Sequence, residues 1–302
     1  MLDILFLGTA ASVPSRDRAP SCIAVRGGTD MILFDCGEGS QRQLMVSPFS
    51  FMKINGVFIT HLHGDHFFGL PGLLQTMGLS GRKDPLKVCG PKGLSDAVTT
   101  MLNSCEGEIP YPLELMDLEP GDRVCFKDHF VTCFETVHNI PSLGYVLCEN
   151  DRRGKFDKKR ADELGLRPSD YSILESGKAV GDITPEMIIG PSRPGLKMVY
   201  SGDTVPCSGL KEAAGGADLL IHEATYCEPE KQLAAEHYHS TAAQAAGTAK
   251  ECGCKHLILT HISNRYKDRG VSLEEARKIF PDTIVADDLA LYGLTDRELR
   301  SV

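Results

Sequence analysis

One block constrains this chain more than any other: Thr60-His61-Leu62-His63-Gly64-Asp65-His66, which follows directly on the apolar run 56–60. Four potential metal ligands fall within six residues. In an extended chain His61 and His63 project to the same side, because side chains alternate. Gly64 permits a turn that swings Asp65 and His66 back toward the same point. Imidazole and carboxylate suit zinc and borderline divalent ions generally. The plain alternative is a histidine cluster on the surface. With only 10 His in 302 residues, three of them beside an Asp at this spacing favour a metal.

One ion rarely uses so many neighbours. Two ions ~3.5–4 Å apart would use all four, provided other ligands arrive from elsewhere. Such ligands are expected just past the ends of apolar runs, where loops gather into sites. His138 follows Val137, Asp203 stands in Ser201-Gly202-Asp203-Thr204, and His261 follows the run 256–260. Each alone reads more often as a structural residue; together, and at matching positions, they would complete a binuclear site.

The rest of the chain supplies a scaffold for such a site. Strands are expected at 2–7, 22–26, 31–35, 56–60, 86–89, 114–116, 131–136 and 145–148, then at 197–201, 218–222, 256–260 and 283–286. Helices are expected at 38–46, 67–79, 94–103, 210–214, 240–251 and 272–280. Ser240 and Thr241 can cap the helix at 240–251. Strands dominate each half with helices attached, a pattern that two sheets packed face to face with helices outside would satisfy.

Charge and cysteine usage narrow the function. With 32 Lys+Arg against 41 Asp+Glu the formal net charge is −9, which argues against indiscriminate nucleic-acid or membrane binding. Neither DNA nor a membrane is an expected partner. No leader-like start and no apolar stretch of ~18 residues is found, so a cytoplasmic protein is expected. The 11 Cys have irregular spacing and are expected to be reduced there. One segment departs from the acidic background: residues 151–181 hold eight basic and six acidic residues, five of the basic ones within 153–160. On its own it reads as a solvated surface helix.

Further blocks carry a resemblance that spans nearly the full length. They are Leu7-Gly8-Thr9, Asp35-Cys36-Gly37-Glu38-Gly39 with Gln41-Arg42-Gln43, and His138-Asn139-Ile140-Pro141-Ser142-Leu143-Gly144-Tyr145. Then follow Ser201-Gly202-Asp203-Thr204, His222-Glu223-Ala224-Thr225, His239-Ser240-Thr241 and Leu259-Thr260-His261. With these the chain resembles ribonuclease Z, the tRNA 3′-processing endonucleases of the metallo-β-lactamase superfamily. The histidine block alone is shared across that superfamily; the His-Glu-Ala-Thr and His-Ser-Thr blocks discriminate.

The resemblance implies an α/β fold, an αββα sandwich over residues 1–302 with a protruding arm at 149–181 that grips tRNA. It implies two zinc ions per subunit. His61, His63 and His138 would hold one, Asp65, His66 and His261 the other, and Asp203 would bridge. Arg152, Arg153, Lys155, Lys158, Lys159 and Arg160 become candidate tRNA contacts. The implied substrate is precursor tRNA, cut to leave a 3′-hydroxyl, and the implied assembly is a homodimer. Asp65 would also take a proton from water. His239 would protonate the departing 3′ oxygen, with Glu223 holding its second nitrogen. The chain departs from the family where Arg16 and Ala19 replace Lys and Asn of an early loop, and where Arg167-Pro168 replaces Gly-Pro. A small-molecule phosphodiesterase or other metallohydrolase of the same fold would share the ligands but need no charged arm.

Overall fold

Along the first strand both faces are apolar: Leu2, Ile4 and Phe6 belong to one buried cluster, Leu5 and Leu7 to another. A strand with two apolar faces must be covered on both, which forces a layered architecture. The computed structural model describes residues 1–105 and 108–302. The chain first lays down β1 (Leu2–Gly8), β2 (Cys22–Gly27), β3 (Asp30–Phe34), β4 (Gly56–Phe58), β5 (Leu86–Gly90) and β6 (Leu113–Asp117). It then crosses to a second sheet with β7 (Arg123–Cys125), β8 (His129–Glu135), β9 (Leu143–Glu149), β10 (Lys197–Tyr200), β11 (Leu219–Glu223), β12 (His256–Thr260) and β13 (Thr283–Val285). It returns to the first with β14 (Leu291–Leu294) and β15 (Leu299–Ser301). The two sheets run β15-β14-β1-β2-β3-β4-β5-β6 and β13-β12-β11-β10-β9-β8-β7.

Three apolar clusters define the layers. Between the sheets lie Ile4, Phe6, Phe34 and Phe58 from one side and Tyr145, Met198, Tyr200 and Ile221 from the other. Outside the first sheet, the helices Leu70–Leu79 and Leu94–Ser104 cover Leu33, Val57 and Val88. Outside the second, Ser208–Ala214 and Ala242–Glu251 cover Val199, Leu220 and Leu257. Each fully buried Leu, Ile or Phe contributes roughly 1.5–3 kcal/mol. The result is the αββα sandwich.

Strands β3 to β6 run parallel, and so do β10 to β13. Their carboxyl ends are where a parallel sheet gathers its ligand-binding loops. Local differences from the sequence reading have local causes. The helix expected at 67–79 begins at Leu70 with proline in its first turn, where the missing N–H costs nothing. A separate turn of helix, Gly64–Phe67, precedes it. The helix expected at 38–46 begins at Ser40, because Gly39 is left-handed at φ 82°. Strands β7, β14 and β15 were not expected. Thr241 does cap the helix Ala242–Glu251: its Oγ1 accepts from the Gln244 N–H at 3.1 Å, and Gln244 Oε1 accepts from the Thr241 N–H at 2.9 Å.

Residues Glu149–Gly195 form a second compact unit. Its two ends run antiparallel as a neck: Arg152 and Arg193 exchange backbone hydrogen bonds of 2.8 Å, and the Gly190 N–H donates to Lys155 O at 3.0 Å. Gly154 is required there, since a Cβ would lie 1.7 Å from the Gly190 carbonyl oxygen. Beyond the neck come two helices, Lys158–Glu163 and Pro168–Glu175. Asp157 caps the first by accepting from the Arg160 N–H, and Asp170 secures the second by accepting from the Arg167 N–H, both at 2.9 Å. Ala161, Leu166, Leu174 and Ile188 form its small core, with Phe156, Leu164 and Tyr171 packed against it.

Candidate metal centre

The carboxyl ends of β4, β10, β11 and β12 and the turn before β9 converge on one cluster. His61, His63 and His138 come together as one group, and Asp65, His66 and His261 as another; within each, the ligand atoms lie within 4.8 Å of one another. Asp203 stands between the groups. Its Oδ2 is 3.7 Å from His61 Nε2 and 3.3 Å from His66 Nε2, and its Oδ1 is 3.4 Å from His261 Nδ1. His138 Nε2 is 3.3 Å from His63 Nδ1, and His261 Nε2 is 3.4 Å from Asp65 Oδ2. All seven residues singled out as ligands in the sequence therefore share one site.

The donor set fits divalent metal. His61 Nε2 and Asp203 Oδ1 are buried within the cluster without a hydrogen-bond partner, an arrangement that is costly unless an ion takes them up. Burial pushes the His61 imidazole well below its ordinary pKa, so it is neutral, the form that ligates. A fold of this kind with these His/Asp groups is a divalent-metal site.

A carboxylate not assigned a role in the sequence organises the cluster. Asp35, fully buried, accepts from His66 Nδ1 at 2.7 Å, from the Thr60 N–H at 2.8 Å and from the Tyr200 hydroxyl at 2.8 Å. Thr60 donates its hydroxyl to Asp35 at 2.9 Å, and the same oxygen lies 2.9 Å from His61 Nδ1. With its proton committed, that oxygen accepts from Nδ1–H and leaves His61 Nε2 bare toward Asp203. His138 Nδ1 donates to the Tyr238 carbonyl at 3.1 Å, which fixes its tautomer similarly. Asp35, Tyr238 and His261 are all left-handed, at φ 58°, 60° and 54°. The signal for Asp35 was its place just after an apolar run, in the Asp-Cys-Gly-Glu-Gly block. Tyr238 gave none, because it acts through its backbone.

His239 and Glu223 sit beside the seven. His239 Nδ1 is 2.9 Å from Glu223 Oε1 and 4.0 Å from Asp203 Oδ2. Burial pulls the His239 pKa down, but the Glu223 carboxylate outweighs it and holds the imidazolium up to about 9. The ring is therefore charged near neutral pH, with Nδ1–H directed at Glu223. The six basic residues of 152–160 belong to the second unit instead. Arg153, Lys155, Lys158, Lys159 and Arg160 are exposed there, and Arg152 pairs with Glu149.

Comparison with known proteins places this architecture. A family profile described as beta-lactamase superfamily domain matches residues 185–262, and one described as Anti-Pycsar protein Apyc1 matches residues 2–147. A ribonuclease Z of Methanosarcina mazei is 43% identical over 297 residues, covering 96% of this chain and 97% of the relative. That of Archaeoglobus fulgidus is also 43% identical, covering 98% of each. The crystal structure of human tRNase Z, short form, superposes with a TM-score of 0.71 at 31% identity, over 97% of this chain and 99% of that one. The metallo-beta-lactamase fold protein YhfI from Bacillus subtilis shares the fold, with a TM-score of 0.69 at 18% identity over 96% and 98% of the two chains. Identity at this level along almost the whole sequence goes well beyond a shared fold: the chain belongs to the ribonuclease Z family.

Proposed function

We propose that this protein is a zinc-dependent endoribonuclease that removes the 3′ trailer from precursor tRNA, hydrolysing one phosphodiester to leave a 3′-hydroxyl on the tRNA. The observation that carries this reading is the full-length likeness to ribonuclease Z relatives in a chain that gathers seven His/Asp donors beside a charged His239–Glu223 pair. His61, His63 and His138 would hold one zinc ion, Asp65, His66 and His261 a second, and Asp203 both. Two ions held there supply Lewis acidity toward phosphate oxygens and acidify water near neutral pH. Asp65 accepts a proton from the attacking water; the Ser12 N–H, 2.9 Å from its Oδ2, fixes the carboxylate for that task. His239, kept cationic by Glu223, presents its outer Nε2–H to the departing 3′ oxygen and donates the proton it needs.

The grip on tRNA is assigned to the second unit. We extend the arm from 149–181 to the whole unit Glu149–Gly195, because the neck pairs residues 152–156 with 189–193. Arg152, Arg153, Lys155, Lys158, Lys159 and Arg160 would meet backbone phosphates, contacts that position a nucleic acid without reading its sequence. Exposed Met45, Val46 and Phe68 favour pairing of two copies of the chain, which sedimentation would test. No helix among the described residues is long and apolar enough to cross a membrane.

The deciding experiment is cleavage of a 3′-extended precursor tRNA with both product ends mapped, alongside metal analysis. A 3′-hydroxyl on the tRNA body and two zinc ions per chain are expected. Cleavage of small phosphodiesters alone would assign the site to a small-molecule phosphodiesterase of the same fold.

A further inference from the structure

Glu223, as a carboxylate, can only accept hydrogen bonds, and the Thr225 hydroxyl lies 2.7 Å from its Oε2. The His261 carbonyl, at 3.1 Å from the same hydroxyl, is the more distant and uncharged competitor, so the proton goes to Glu223. The Thr225 oxygen is also 2.8 Å from His261 Nδ1. Its single proton is already committed, so here it accepts, and His261 Nδ1 carries the hydrogen. That leaves Nε2 of His261 as a bare lone pair, facing His66 Nε2 at 3.3 Å and Asp65 Oδ2 at 3.4 Å. Thr225 is 3% exposed, so water does not compete for these bonds. Its own N–H donates to Glu223 Oε2 at 3.0 Å, while Glu223 Oε1 accepts from the Thr204 N–H at 3.1 Å and faces His239 Nδ1 at 2.9 Å.

We infer that Thr225 is a positioning residue that joins the two halves of the chemistry: one hydroxyl steadies Glu223 under His239 and locks His261 in the tautomer whose Nε2 can bind a divalent ion. Thr60 performs the matching task between Asp35 and His61, which shows the same solution reached from a different part of the chain. The inference rests on reading His261 as a metal ligand.

The test uses the full-length protein stripped of metal, with zinc as the probe and a chromophoric chelator as competitor. Thr225→Val keeps the shape and removes the oxygen; Thr225→Ser restores it. The valine variant is expected to bind zinc about 10–100-fold more weakly, with the serine variant close to the parent. Imidazole ¹⁵N spectra of the metal-free parent at alkaline pH, assigned with His261→Ala, should show His261 protonated at Nδ1. That signature should be lost in the valine variant. If His261→Ala binds zinc like the parent, the ligand reading fails and takes the inference with it. If His261→Ala weakens zinc while Thr225→Val does not, the ligand reading stands and the role of Thr225 is overturned. A parent spectrum showing His261 protonated at Nε2 overturns it too, whether or not any variant folds.

Discussion

The two compact units of this chain are built on opposite terms. The first carries the entire formal charge of −9, while Glu149–Gly195 holds nine basic and nine acidic residues. The first packs three apolar clusters around two sheets; the second rests on Ala161, Leu166, Leu174 and Ile188. Reacting groups need positions fixed to a fraction of an ångström, and only a deep core supplies that. Gripping a phosphate backbone demands charge and reach more than precision. On the proposed division of labour, an acidic body serves a polyanionic substrate by delegating the attraction to a unit with its own small core.

The largest effect should come from Asp203→Ala, which removes the one side chain standing between both ligand groups. Metal content should fall and cleavage of every substrate should nearly vanish, with the circular-dichroism spectrum preserved. Normal metal stoichiometry with normal activity would break the assignment of the chemistry to the first unit.

His239→Ala should be smaller and selective. The chemical step on precursor tRNA should slow by roughly 10²–10⁴-fold with metal retained. Much of the rate should return on a diester whose nitrophenolate leaving group needs no proton. Equal losses on both substrates would remove His239 from leaving-group chemistry.

Excising residues 155–189 and closing the neck with a short Gly/Ser linker sharpens the contrast from the other side. Hydrolysis of a nitrophenyl phosphodiester should survive. Binding of precursor tRNA should weaken and lose most of its dependence on salt concentration, because released counterions set that slope. A variant that binds and cuts precursor tRNA like the parent would make the unit a mere surface excursion.

The mildest change is Leu174→Ala, whose cost of about 2–5 kcal/mol should fall on the second unit. Hydrogen exchange should rise across residues 157–189 and leave β10 to β12 unaltered. An equal rise in both would mean that the two unfold as one.

How much of this was legible in the sequence follows from how local each feature is. The His61–His66 block announces itself because strand alternation and one glycine bring its ligands together within a single turn. Asp203 and His261 were reachable because both follow apolar runs that end at the same edge of the second sheet. Asp35 lay in a recognised block, yet its task depends on Tyr200, 165 residues away in the other sheet, and no pattern along the chain encodes that meeting. The strand β14 was missed for a related reason. Its four residues are too few to show a period, and its partner β1 lies at the opposite end of the chain. In the second unit the charge was visible, but a neck made by residues 152–156 and 189–193 leaves no short-range trace, so the boundary at 181 fell inside it.

The touching of Gly154 and Gly190 has a further meaning for how such a chain can change over generations. Everything beyond that crossing begins and ends at one place, so its length is decoupled from the distance its ends must span. Doubling a flexible loop costs only about 0.6 kcal/mol in closure entropy, and the pairing of Arg152 with Arg193 holds the two ends together whatever lies beyond them. Insertions and deletions past the crossing are therefore expected to be nearly neutral for the metal centre, and in the proposed tRNA-gripping role the reach of the unit could change while the catalytic body stays the same.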